Sequence, residues 1–163
     1  VYASDVNGDG ITELPRAVLM AGYKDTSSSD AVYMLDWYAY GIGKVPTKVA
    51  TTYQNISDAW SLLIDQKWHD RITAIKANDG GLSYVEFFEY RKNKMSIPLF
   101  NIYCATGSNR EYYAERTDLI QLGQTTQAIY FAKLTNEGEQ SELALTGDEI
   151  KARFSLVNQA WNN

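Results

Sequence analysis

Short apolar segments recur along most of the chain, separated by polar turns, a pattern typical of β-strands. Residues 31–40 and 45–53 flank the turn G-I-G-K and predict two antiparallel strands, and Pro46 marks the second as an edge strand or as the beginning of a strand. The turn N-D-G-G predicts a β-hairpin between residues 71–77 and 82–92, because Asn, Asp and Gly tolerate the positive φ angles of tight turns. The remaining apolar runs predict strands at 97–105 and 127–134.

The last stretch of the sequence has a helical period. Thr146 and Glu149 form a T-x-x-E capping box, in which each side chain satisfies a free amide of the first turn. Leu145 and Ile150 can supply the hydrophobic staple that accompanies such a box. Apolar residues then recur at spacings of four, three and four on one helical face: Ile150, Phe154, Val157 and Trp161. The sequence therefore predicts an α+β fold, with a C-terminal amphipathic helix packed on an antiparallel sheet.

Composition and charge narrow the classes of partner. The chain has 163 residues, 45% of them hydrophobic, which is enough for one full hydrophobic core. Its net charge of -5 argues against a nucleic-acid partner, because phosphate binding needs clustered Lys and Arg. No segment approaches the ~20 apolar residues of a membrane span, so we expect none. The single cysteine, Cys104, excludes an internal disulfide, and its apolar setting predicts a buried, unreactive thiol.

The most specific chemistry lies in the opening segment D-V-N-G-D-G-I-T-E, residues 5–13. Asp5, Asn7 and Asp9 occupy every second position, and a short loop with this spacing can turn its oxygens toward a hard divalent cation. A helix-flanked calcium hand would need a bidentate Glu at the twelfth position, where the chain has Arg16. The motif can instead close at the ninth position, Glu13. Two alternatives stay open at this point: a cation site and an acidic turn that faces water.

The same residues, D-V-N-G-D-G-I-T-E-L, resemble the calcium loops of FG-GAP and VCBS repeats, the blades of integrin-like β-propellers. The resemblance implies that the side chains of Asp5, Asn7, Asp9 and Glu13, with the backbone carbonyl of Ile11, surround a structural Ca²⁺ ion. Glu13 replaces the more usual Asp at the ninth position of the family's loop, which lengthens one arm of the site.

The later elements resemble a second family. The segment A-W-S-L-L-I-D-Q-K-W, which ends at Trp68, is followed by a hairpin, the strands L-F-N-I-Y and A-I-Y-F-A-K-L and the closing helix. This order is similar to the PsbP-like α/β sandwich. The resemblance divides the chain into a calcium loop with a β-hairpin (a partial blade) at 1–53 and a PsbP-like domain at 54–163.

A third resemblance covers three segments in order: D-V-N-G-D-G-I-T-E-L-P, then D-W-Y, then L-F-N-I-Y-C-A-T-G-S-N-R. Together they are similar to the C-terminal part of FG-GAP-type surface lipoproteins of Gram-positive bacteria. This resemblance implies an extracellular or cell-surface location. Because the chain begins at Val1 without a leader, we expect it to be a piece of a longer protein, with a lipid anchor upstream.

Catalytic patterns are sparse. The one histidine, His69, cannot use Asp70 as an orienting partner by adjacency, because consecutive strand residues point to opposite faces, and we expect it in an exposed loop. Glu86 and Glu89 should also face opposite sides of a strand. No nucleophile motif or zinc-binding cluster occurs in the sequence. We therefore expect no enzyme; the alternative is a hydrolase or enzyme accessory domain with a carboxylate-lined pocket.

Two features could serve binding. T-G-S-N-R, residues 106–110, is either a polar binding loop or a solvated turn, and Tyr112, Tyr113 and Trp37 could stack on a sugar or peptide or else pack in the core. The sequence thus predicts a non-enzymatic extracytoplasmic module with a structural calcium loop and a protein, peptide or glycan ligand.

Overall fold

The computed structural model describes residues 3–27, 30–79, 82–108 and 110–157, and β-strands dominate this part of the chain. Its strands are β1 (Leu14–Leu19), β2 (Tyr33–Ala39), β3 (Thr47–Asn55), β4 (Trp60–Leu63), β5 (Ile72–Asp79), β6 (Leu82–Arg91), β7 (Lys94–Thr106), β8 (Ile120–Gln124), β9 (Ala128–Leu134) and β10 (Phe154–Leu156). Its helices are short: α1 (Arg110–Ala114), α2 (Asn136–Glu139), α3 (Gly147–Arg153) and a 3₁₀ turn (Gln66–Trp68).

The strands form two five-stranded sheets. The first has the order β1-β2-β3-β4-β10, the second has the order β5-β6-β7-β9-β8, and every neighbouring pair is antiparallel. The chain builds four strands of the first sheet, then the whole second sheet, and returns to the first sheet through β10, where Phe154 pairs with Leu62. Each sheet is therefore assembled largely from strands that follow one another along the chain.

The facing sides of the two sheets share one hydrophobic core. The ring of Tyr53, in β3, meets the ring of Phe87, in β6, edge to face with centroids 5.4 Å apart. Phe87 also stacks on Phe100, in β7, at 4.8 Å. Trp60 in β4 lies 5.9 Å from Phe154 in β10. Large rings from both sheets thus fill the space between them, as cross-strand and cross-sheet aromatic pairs do in sandwiches.

The predicted α+β fold with a C-terminal helix on a sheet is wrong. The helix α3 ends at Arg153, and the next three residues form the strand β10 against β4. Phe154, expected on a helical face, is a strand residue between the rings of Trp60 and Tyr130. Because each sheet buries the apolar face of the other, no long helix is needed to cover either one. Trp161, the last residue of the expected stripe, lies outside the described residues.

Several local predictions are confirmed. β2 pairs with β3, and β5 pairs with β6 up to Asp79 opposite Leu82, with the two glycines of N-D-G-G outside the described residues. Pro46 immediately precedes β3, a central strand, so it marks the beginning of a strand. The capping box is formed: the Glu149 N–H donates to Thr146 Oγ1 at 3.2 Å, and the Thr146 N–H donates to Glu149 Oε2 at 2.7 Å.

The expected boundary between residues 53 and 54 falls inside β3, and the division into two units stays a prediction. In the described ranges, no helix is long and apolar enough to cross a membrane.

Candidate functional site

The acidic motif folds into a loop closed by a short β-bridge. Ser4 and Glu13 exchange backbone hydrogen bonds of 3.1 and 2.9 Å, and the nine-residue motif leads directly into β1. Gly8 and Gly10 have φ angles of +77° and +84°, which L-residues rarely adopt. The space around both glycines is open, so backbone conformation alone requires them. The loop thus turns back on itself between two fixed ends.

Asp5 organises the backbone of the loop. Its Oδ1 accepts the N–H of Gly8 at 2.7 Å and of Asp9 at 3.2 Å, and its Oδ2 accepts the N–H of Gly10 at 2.9 Å. These donors, with the Gly10 N–H first, lower the pKa of the Asp5 carboxyl. The carboxylate is therefore held in its ionised form at the centre of the turn.

Asn7, Asp9 and Ile11 continue this arrangement. The Asn7 Nδ2 donates to Asp9 Oδ2 at 2.9 Å, and the Asn7 Oδ1 accepts the Asp9 N–H at 3.1 Å. The Ile11 N–H donates to Asp9 Oδ1 at 2.8 Å, while the Ile11 side chain is exposed. The Asn7 side-chain oxygen is thus engaged by the backbone and its nitrogen faces Asp9, so in this arrangement Asn7 is not oriented as a cation ligand.

Glu13 is the unusual member of the cluster. Its side chain is fully buried, and its Oε2 accepts the Val6 N–H at 2.9 Å. Its Oε1 is buried as well and accepts no hydrogen bond from the described residues. One carboxylate oxygen from each of Asp5, Asp9 and Glu13 lies within 4.8 Å of the others. A buried oxygen without a donor normally costs free energy, and a cation at this carboxylate cluster would offset that cost.

The donor set fits a hard divalent cation. Ca²⁺ binds carboxylate and carbonyl oxygens at about 2.3 to 2.6 Å, so two ligands of one ion are at most about 5 Å apart. The three carboxylate oxygens meet that limit. The structure thus brings together Asp5, Asp9 and Glu13, with Asn7 beside Asp9 and the Ile11 N–H bonded to Asp9. The Ile11 carbonyl, the expected ligand of that residue, stays a prediction. Calcium binding itself stays a prediction.

The residues considered for catalysis lie apart from this loop. His69 caps the 3₁₀ turn and its side chain is 41% exposed, as expected for a loop position. The expectation that it does not pair with Asp70 is wrong: the two residues lie in a turn rather than a strand, and His69 Nδ1 is 3.1 Å from Asp70 Oδ2. His69 borders an open groove between β3 and the segment that follows β4, and Asp65 lines the same groove. The Lys67 N–H and Arg153 lower the pKa of Asp65. A carboxyl that acts as a general acid near neutral pH needs a raised pKa. Asp65 therefore does not match a general acid.

Glu86 and Glu89 face opposite sides of β6, as predicted. Glu89 lies on the core face with zero exposure, where it pairs with Arg91 and lies 3.7 Å from Arg71. Ser141 Oγ donates to Glu89 Oε2 at 2.8 Å. Sequence reasoning missed this cluster, because Ser141 is 52 positions away and no local motif connects the two. Through the hydrogen bond from Ser141, Glu89 holds the segment after α2 against the second sheet, which is a structural role.

The aromatic residues considered for ligand stacking divide into two groups. Trp37 is buried, and its Nε1 donates to Thr52 Oγ1 at 2.8 Å, so it is a packing residue. Tyr112 is 66% exposed on α1. Tyr113 lines a small cleft on the outer face of the second sheet. Only Tyr112 and Tyr113 of these three thus remain accessible to a ligand.

Two cations line that cleft, and both pair with one neighbouring carboxylate. Arg116 and Lys133 line it, and both pair with Asp118, at 2.6 and 3.4 Å. The Arg116 guanidinium lowers the pKa of Asp118 to about 2. Because the cations already share an internal carboxylate, the cleft is not a ready anion site.

The T-G-S-N-R segment and Cys104 have structural placements. Thr106 is the last residue of β7, and Arg110 is the first residue of α1. The Arg110 side chain donates to the Thr126 carbonyl, and Asn109 lies outside the described residues. Cys104 is buried, as predicted, and burial raises the pKa of its thiol to about 11.

The chain was compared with known proteins in three ways. It matches no protein-family model, no curated protein and no solved structure. The resemblances to FG-GAP loops and to the PsbP-like sandwich therefore rest on the sequence motifs alone, and the α/β sandwich that the second implies is wrong, because the described strands form two antiparallel β-sheets. The acidic loop is the candidate functional site that its own geometry supports best.

Proposed function

We propose that this chain is a non-enzymatic, extracytoplasmic binding module whose acidic loop holds a structural Ca²⁺ ion. The observation that carries the proposal is the placement of Glu13: its buried Oε1 has no donor among the described residues, and one of its carboxylate oxygens lies within 4.8 Å of oxygens of Asp5 and Asp9. A cation is the simplest partner for three converging carboxylate oxygens.

A structural role follows from where the loop lies. The ligands Asp5 and Glu13 stand at its two ends, next to the Ser4–Glu13 bridge, so an ion would tie both ends to the start of the edge strand β1. Asp5 and Asp9 are already oriented by backbone N–H groups, so little ordering is left for the ion to impose. Bound calcium would stabilise the folded loop without taking part in catalysis.

An extracellular location is consistent with the expected affinity. Calcium sites of extracellular modules bind with dissociation constants of about 10⁻⁴ to 10⁻³ M, because the ion is abundant outside cells. Asp5 and Asp9 are exposed, and Glu13 alone of the three is buried, an arrangement suited to that weak range. The ligand of the module would be a protein, a peptide or a glycan, bound elsewhere on its surface.

Thermal melts in millimolar calcium and in chelator test the proposal. We expect calcium to raise the melting temperature, and the paired substitutions Asp5→Ala and Asp9→Ala to abolish the rise. Asp25→Ala is the matched control, since Asp25 is an exposed aspartate in the β1–β2 connection and should leave the rise unchanged. Magnesium at the same concentration should give a smaller rise, because it demands tighter octahedral geometry. An identical melting temperature in calcium and chelator would refute the calcium loop.

A further inference from the structure

Exposed large hydrophobic side chains concentrate at one end of the first sheet. Ten such side chains are exposed among the described residues, and five of them lie at this end. We call these five the apolar end: Ile11, Leu14, Tyr40, Ile42 and Val45. Single exposed apolar residues are ordinary on protein surfaces, whereas a group that shares one end of one sheet indicates an interaction surface.

The strand register places the two halves of the apolar end side by side. Leu14, the first residue of β1, pairs with Tyr38 near the end of β2. The acidic loop that precedes β1 and the connection 40–46 that follows β2 therefore leave the same end of the sheet. Any surface that meets the 40–46 connection also approaches the acidic loop.

The connection forms a thin, convex tip. The Lys44 N–H donates to the Gly41 carbonyl at 3.1 Å, which makes Ile42 and Gly43 the central residues of a tight turn. Gly43 has φ of +69° and open space around it. Ile42 is fully exposed and Val45 is 86% exposed. Both side chains thus project outward from the tip.

The shape and charge of the tip favour a lipid surface over a protein. Stable protein interfaces bury about 800 Å² on each partner over a complementary surface. The apolar end offers five side chains, three of them on the narrow turn of 40–46, which is too little for such an interface. A bilayer is fluid and accepts a convex tip without a matching cavity. Lys44 is the only charged residue in 40–46, its stem lies against Gly41, and it makes no ion pair with the described residues. Aliphatic residues beside a Tyr and a free Lys match the chemistry of the headgroup boundary.

We propose that the apolar end inserts into the surface of a bilayer that contains anionic phospholipids, with Lys44 and the calcium loop facing the headgroup phosphates. The calcium part of this inference rests on the proposed function, while the insertion of Ile42 and Val45 does not. The net charge of -5 repels an anionic bilayer, and Ca²⁺ bound at the same end offsets that repulsion where the tip enters. Binding should therefore be strongest in calcium.

Vesicle cosedimentation tests this directly. The probes are vesicles of phosphatidylcholine alone and of phosphatidylcholine with phosphatidylserine in equal amounts, each in calcium and in chelator. We expect the wild-type chain to pellet with the mixed vesicles in calcium, and Ile42→Ser with Val45→Ser to weaken that binding about 100-fold, because each apolar side chain withdrawn from lipid costs about tenfold. The control is Ile56→Ser: Ile56 is 53% exposed in the turn after β3, at the opposite end of the same sheet.

The two proposals can fail separately. Equal pelleting of the wild-type chain and the tip variant, or no pelleting of the wild-type chain, overturns lipid insertion even if calcium raises the melting temperature. Binding in chelator that is still lost in the tip variant supports insertion, while an unchanged melting temperature in calcium refutes the calcium loop. Because Ile42 and Val45 are exposed, the tip variant should keep the wild-type melting temperature, which excludes misfolding as the cause of lost binding.

Discussion

The sharpest test of the calcium loop is Glu13→Gln. The substitution keeps the size and shape of the side chain, and the amide oxygen can still accept the Val6 N–H. It removes one negative charge from the cluster with Asp5 and Asp9 and gives the other end of the side chain donor hydrogens. If the loop binds Ca²⁺ as proposed, the wild-type carboxylate suits the cation-bound loop and the amide suits the cation-free loop. The effect on stability should therefore change sign with calcium.

The magnitude follows from the burial of Glu13. A buried oxygen left without a donor costs about 1 to 3 kcal/mol, so in chelator the Gln variant should be more stable than the wild-type chain by an amount in that range. For a chain of this size each kcal/mol changes the melting temperature by about 2 to 4 °C, which makes the rise roughly 5 °C. Calcium at 100 times its dissociation constant stabilises the wild-type chain by about 2.7 kcal/mol, or roughly 8 °C. The variant has lost a charged ligand and should gain much less.

The assay is differential scanning calorimetry of both proteins in chelator and across a calcium titration. The expected result is a reversal: Glu13→Gln melts higher in chelator, and the wild-type chain melts higher at saturating calcium. A variant that melts lower in chelator and shows the full wild-type response to calcium would refute the assignment of Glu13 as a ligand.

Three further predictions concern the rest of the fold. Gly138→Ala should lower the free energy of unfolding by about 1 to 3 kcal/mol, because the added Cβ would overlap a backbone oxygen of β7; Gly41→Ala, which meets only a flexible side chain, should have a smaller effect in the same urea titration. Cys104 should react with a thiol reagent at pH 8 about 100-fold more slowly in the native protein than in urea, and fast native labelling would contradict its burial. Asp65→Asn removes the ion pair with Arg153 and should cost about 0.5 to 1 kcal/mol at neutral pH. Because the folded-state pKa of Asp65 is lowered, this contribution is fully present above the unfolded pKa of about 4 and is lost as the pH falls through the lower folded-state pKa. The difference between the two proteins should therefore shrink steadily in urea titrations below about pH 4.

The sequence is informative where local chemistry decides the structure. The hairpins at G-I-G-K and N-D-G-G form as predicted, and so does the capping box of Thr146 and Glu149. Each depends on residues within a few positions of one another. The convergence of Asp5, Asp9 and Glu13 also follows from spacing within one short loop.

The fold class depends on distant contacts, and there the sequence misleads. The spacing of Ile150, Phe154 and Val157 suits a helix, yet Phe154 joins a ladder with β4, a strand more than 90 positions earlier. The short strands β1 and β8 also carry too few residues to show a period. Pairing across the fold overrides local propensity at these positions. Two partners of Glu89, Arg71 and Ser141, were equally hidden, since they come from other segments of the chain; only Arg91 is a neighbour in the same strand.

The pairing of β10 with β4 also bears on how such a chain can change in evolution. The chain leaves the first sheet after Leu63 and returns at Phe154, opposite Leu62, so the points of departure and return are separated by about one strand spacing, roughly 5 Å. In the connectivity of the first sheet, the intervening stretch of about 90 residues is one very long loop that joins two neighbouring strands. The entropy of closing a loop grows only with the logarithm of its length, so recombination at this junction could lengthen or shorten the stretch at little entropic cost to β4 and β10.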